Sequence, residues 1–171
     1  MKKIIFSAVA VAMAICTVAT AQAQDFTYGV KVGVAMGNFS EGNDDSGFGL
    51  QVGVSGEYSL SDVSAISADI MYAQTGSDNL SASYLNIPIL YNYKFAEGFA
   101  VKAGIQPGFL MGGDLKDWDG ESFALAVPVG VSYDLECGIG FDLRYNFGLT
   151  EVVKDSEMVN NVLSFTVGYK F

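Results

Sequence analysis

Large apolar residues alternate with small or polar ones at a period of two along most of the chain. In FTYGVKVGVAMG, Phe26, Tyr28, Val30, Val32, Val34 and Met36 share one face, and Thr27, Gly29, Lys31, Gly33, Ala35 and Gly37 share the other. FGLQVGVSGEYSL repeats this, with Phe48, Leu50, Val52, Val54 and Tyr58 opposed to Gly49, Gln51, Gly53, Ser55 and Glu57. Successive side chains of a strand leave the pleated backbone on opposite faces, so this period predicts strands. The pattern returns over about 65–75, 83–95, 99–111, 123–135, 138–149 and 161–171, which makes eight strands in all. Each is near the ~9–11 residues with which a tilted strand crosses a bilayer. The connections at SLSDVS, AEG and DLECG are short, whereas 38–47, 76–82, 112–122 and 150–160 are longer. Short turns at one end and long loops at the other are the layout of a membrane barrel.

A water-soluble sandwich or lipocalin-like barrel is the alternative, and charge placement separates the two. Past residue 24 no charged residue falls on the apolar face of a predicted strand. A soluble barrel would turn its polar face outward to water. Here the polar face is also the small one, and the apolar face carries Phe26, Phe48, Tyr58, Tyr72, Tyr91, Tyr93, Phe95, Phe109, Tyr133, Phe141, Tyr145, Phe147, Phe165, Tyr169 and Phe171. An eight-stranded lumen is only wide enough to be filled by side chains, so these rings belong outside, in lipid. Phe26, Tyr93, Phe95, Tyr133, Tyr169 and Phe171 sit toward the short-turn end, as an interfacial girdle would. The expected fold is therefore all-β, an eight-stranded antiparallel transmembrane up-and-down β-barrel.

The N-terminal segment changes the compartment. MKKIIFSAVAVAMAICTVATAQAQ has a basic start, an apolar run from Ile4 to Ile15 and small residues up to Ala21-Gln22-Ala23. This is the layout of a secretory signal, with cleavage expected after Ala23 and a barrel domain over 24–171. The apolar run is short for a membrane helix, and bulky Ile15 before Cys16 argues against a lipoprotein site. Of nine basic and nineteen acidic residues, cleavage removes Lys2 and Lys3, leaving seven against nineteen and a net charge of −12. Such a balance repels nucleic acid. It also leaves Cys137 as the single cysteine, so no intrachain disulfide is expected.

The chain ends on VLSFTVGYKF, where Phe165, Tyr169 and Phe171 belong to an alternating apolar set. This resembles the C-terminal signal by which outer-membrane barrels are recognised by the β-barrel assembly machinery. YGVKVGVAMGNFS, MYAQTGSDNLSASYLNIPILYNYKF (with Leu85, Asn86, Ile87 and Pro88), KAGIQPGFLMGG and GFDLRYNFGLTEV (with Arg144 and Tyr145) together resemble the PorT-like family of small outer-membrane barrels, the outer membrane protein beta-barrel domain. The resemblance runs along the whole chain past the signal. It implies a fold and a bacterial outer-membrane location, not a reaction, and the family includes secretion-associated members.

Parity also assigns the interior. Lys31, Glu57, Asp69, Lys94, Lys102, Asp142, Arg144 and Lys170 point inward, with Asp134 near a turn, and most lie in the periplasmic half. Buried charges in a narrow lumen must pair, so an internal salt-bridge network closing the barrel is expected, with a permeation gate as the alternative. Inward positions of the outer half are small or uncharged, among them Gly33, Ala35, Gly49, Gln51, Asn86, Gln106, Ala126 and Asn146, which leaves a small-ligand cup open as a second alternative.

The long loops are acidic. Asp114, Asp117, Trp118 and Asp119 mark the candidate contact surface, although no calcium-loop motif is present. The chain contains no histidine, which removes Ser-His, Cys-His and His-metal chemistry. No nucleotide loop or zinc set appears, so no catalytic, cofactor or metal residues are assigned and no enzyme activity is expected. The expected role is structural or a surface interaction, with a small-solute channel, a ligand-binding barrel or a secretion-apparatus component as alternatives. The expected partners are outer-membrane lipid, the assembly machinery and an unidentified surface or periplasmic protein, for a monomeric chain that binds no nucleic acid.

Overall fold

The computed structural model describes residues 25–39, 46–77, 80–113, 123–149 and 160–171. The expected signal, 1–23, lies outside the described residues. The strands are β1 (Phe26–Phe39), β2 (Ser46–Ser61), β3 (Ser64–Ser77), β4 (Leu80–Asn86), β5 (Ile89–Ala96), β6 (Phe99–Gly113), β7 (Phe123–Asp134), β8 (Ile139–Gly148) and β9 (Asn160–Lys170). All pairings are antiparallel, and each pass neighbours the next in sequence.

The sheet closes on itself. β1 pairs with β9 from Gly29↔Lys170 to Phe39↔Asn160, and the Phe171 amide donates to the Tyr28 carbonyl at 2.8 Å. Closure leaves the described sheet without an open edge, which is what a spanning sheet in lipid requires.

Among the described residues nine strands make eight passes, because β4 and β5 are halves of the fourth. The break falls at Ile87 and Pro88, where proline has no N–H to give the ladder. Continuity survives on both sides of it: Ile87 N donates to Pro107 O at 2.9 Å, and Asp69 N donates to Pro88 O at 3.0 Å.

The expected loops are shorter at their ends, 38–47 losing Asn38, Phe39, Ser46 and Gly47 to strands, 112–122 losing Gly112 and Gly113, and 150–160 losing Asn160, and one is corrected further. The connection placed over 76–82 narrows to 78–79, since Thr75↔Ala82, Gly76↔Ser81 and Ser77↔Leu80 remain paired. Alternation fades there because the hairpin has polar or small residues at most positions, but backbone pairing does not need an apolar face. At the opposite end, Gly98 and Gly138 take φ of 76° and 88° and close the two tight turns after β5 and β7.

The outward face is apolar as expected. Of the fifteen aromatic residues assigned to it, all but Phe141 are exposed, and Val32, Leu50, Val52 and Ile105 are more than half exposed. Aromatic pairs gather at the short-turn rim: Tyr28 stacks on Phe171 with centroids 5.4 Å apart, Tyr169 meets Phe171 edge-on at 5.2 Å, and Phe99 lies 4.3 Å from Tyr133. Among the described residues no helix is long and apolar enough to cross a membrane; the crossing elements are strands.

Candidate functional site

The paired interior charges form two groups. In the central one, Asp69 on β3 is fully buried, and its Oδ2 accepts from Lys31 Nζ of β1 at 2.8 Å and from Arg144 Nη2 of β8 at 3.2 Å. Arg144 Nε donates to Asp142 Oδ1 at 2.5 Å, and Lys102 Nζ of β6 donates to Asp142 Oδ2 at 2.9 Å. The chain Lys31–Asp69–Arg144–Asp142–Lys102 therefore crosses the lumen from one wall to the other, and each member is less than a tenth exposed.

Facing glycines make room for it. A Cβ on Gly130 would meet the Cγ and Cα of Arg144, and one on Gly168 would meet the Cγ of Lys31 at 3.0 Å. Gly130 pairs with Arg144 and Gly168 with Lys31, so bare backbone stands beside each long cation as it folds inward.

The second group lies nearer the short-turn rim and is wetter. Lys170 Nζ donates to Asp134 Oδ2 at 2.8 Å and reaches both oxygens of Glu57 at 3.4 Å. Asn92 extends it, donating to Glu57 Oε2 at 3.0 Å and to Ser67 Oγ at 3.1 Å. Lys94, assigned to the interior set, is half-buried and has no ion pair among the described residues.

Several residues that carry this interior escape a charge-based reading. Asn92, Asn146, Ser132, Ser164 and Thr166 are buried polar groups on the inward face, and the parity that places Lys94 and Arg144 inside places Asn92 and Asn146 beside them. The outer-half inventory is also incomplete: Leu110 is buried inside with Met71 and Leu90, and half-buried Tyr84 pairs with inward Ala73. A cavity of about 20 Å³ remains among Lys31, Lys102, Ser132, Asp142 and Thr166, reaching toward Lys170. That is room for about one water-sized occupant.

The loop residues Asp114, Asp117, Trp118 and Asp119 lie outside the described residues. Phe165 and Tyr169 lie on the outward face of β9, and Phe171 follows its end, exposed. Among the described residues no group of His, Cys, Asp and Glu is arranged to hold a metal.

The family model described as outer membrane protein beta-barrel domain matches residues 7–171. Among solved structures the chain is similar to Ail, the attachment invasion locus protein of Yersinia pestis, at 11% identity and a TM-score of 0.56, covering 86% of this chain and 98% of that one. It is similar to Neisserial surface protein A at 18% identity and a TM-score of 0.55, covering 85% and 97%. The outer membrane enzyme PagL matches at 18% identity and a TM-score of 0.54, covering 82% and 98%. At these identities the likeness is one of fold. No curated protein matches the chain.

Proposed function

This chain belongs to the outer membrane protein beta-barrel domain family, and from that premise we propose a non-enzymatic role in which the barrel is a closed scaffold and the acidic outer loops make the working contacts. The bacterial outer membrane is its location. The observation that carries the reading is the ion-pair chain from Lys31 to Lys102, which crosses the lumen from wall to wall with buried, paired groups. A permeant ion would have to break pairs whose separated charges are costly in that setting. Hydrolysis of the kind that uses a histidine base has no candidate, since the sequence has none.

Within the family, the Leu85–Pro88 stretch and the Arg144-Tyr145 pair favour the PorT-like branch. Its secretion-associated members make membership of a secretion assembly the second reading. The N-terminal 23 residues act as the export signal, and Phe165, Tyr169 and Phe171 as the feature that engages the assembly machinery before the monomer inserts.

Cross-linking on intact cells tests the loop role. Serine at positions 114, 117, 118 and 119 together should remove surface adducts of the full-length protein while leaving its heat-modifiable gel mobility unchanged. An unaltered adduct pattern would contradict the loop role. Adducts confined to periplasmic proteins would transfer the reading to a secretion assembly.

A further inference from the structure

The central charge group is unbalanced: among the described residues, Lys31, Lys102 and Arg144 pair only with Asp69 and Asp142. The rim group of Lys170, Glu57 and Asp134 has the opposite imbalance, but Lys170 and Asp134 are 25% and 30% exposed and so are screened by water. A buried surplus of one positive charge is left in the centre, where an uncompensated ion is costly.

The donors left over point to what compensates it. Ser132, Asp142 and Thr166 form one inward row across β7, β8 and β9, since Ser132 pairs with Asp142 and Asp142 with Thr166. Both oxygens of Asp142 are engaged, by Arg144 and Lys102. The hydroxyls on either side of it, Ser132 Oγ and Thr166 Oγ1, are buried without a hydrogen-bond partner among the described residues. Lys31 and Lys102 each place one hydrogen bond on a carboxylate, and an ammonium has three protons to donate. All four side chains line the cavity of about 20 Å³.

We propose that this cavity binds one small monoatomic anion of the chloride class, held by the Lys31 and Lys102 ammonium groups and the Ser132 and Thr166 hydroxyls. Of the two carboxylates lining it, Asp142 is saturated and Asp134 Oδ2 is held by Lys170 at the rim side, so neither presents a free oxygen pair to the occupant. Room for about one small occupant favours a monoatomic anion over a larger one. The anion would neutralise the surplus cation and accept the orphaned hydroxyl protons together, which a water does only for the second.

The test uses the purified, folded barrel at fixed ionic strength in sodium chloride, bromide or gluconate. The temperature at which the compact gel band converts to the unfolded one should rise saturably with chloride or bromide and stay level with gluconate. The Ser132→Ala/Thr166→Val double variant, which removes no charge, should retain the compact band but lose the halide dependence. Crystals grown in bromide should show anomalous density between Lys31, Lys102, Ser132 and Thr166. Equal temperatures in all three salts, or bromide found only on the outer surface with water in the cavity, would overturn the proposal.

Discussion

Replacing Asp69 by Ala is expected to destabilise the folded barrel by about 3–5 kcal/mol, the cost of breaking a buried ion pair from one side. Asp69 is fully buried and is the joint on which Lys31 and Arg144 both close. Its loss strands one ammonium entirely and leaves the guanidinium a single carboxylate, in an interior with no bulk water to take over. Equilibrium unfolding in urea, followed by circular dichroism and by gel mobility, reads the loss. Adding Lys31→Met to Asp69→Ala should recover part of it, because the stranded charge then leaves with its partner. Glu57→Gln, at the wetter rim, should cost much less. Equal effects at the two sites would mean that the central network is not sealed from solvent.

The second large effect is expected on the other face. Val32→Arg should cost about 2–4 kcal/mol, as an arginine does on the lipid side at the bilayer midplane, whereas Leu60→Arg near the short-turn rim should cost about 0–1 kcal/mol. Val32 is 57% exposed and sits in the middle of β1, and Leu60, at 51%, sits one residue from the end of β2. Exposure alone does not distinguish the two; depth in the membrane does. Folding into vesicles with urea titration measures the pair. Equal, small effects would describe a barrel bathed in water.

How much of this was legible in the sequence depended on what the period carries. Period two fixes the face of a residue, so the sequence alone sorts the outward rings from Phe26 to Phe171 and the inward set from Lys31 to Lys170. It does not fix strand stagger, and stagger decides partners: Arg144 reaches Asp69, 75 positions away, only because the sheet is closed and sheared. Nor does it weigh an inward hydroxyl. Ser132 and Thr166 look like lumen filler until the structure shows them buried and unpartnered around Asp142. Pro88 carried a local signal, the missing donor, that splits the fourth pass without ending it. The polar hairpin around residues 75–82 carried none, because backbone pairing there outlasts the apolar alternation.

Whether the ion pairs seal the lumen is read by single-channel recording of the purified, refolded barrel in planar bilayers, with heat-dependent gel mobility certifying the fold. Folded protein should give no conductance steps. Reproducible, ion-selective steps that disappear or change selectivity on substitution of Arg144 would contradict it and make the network a gate.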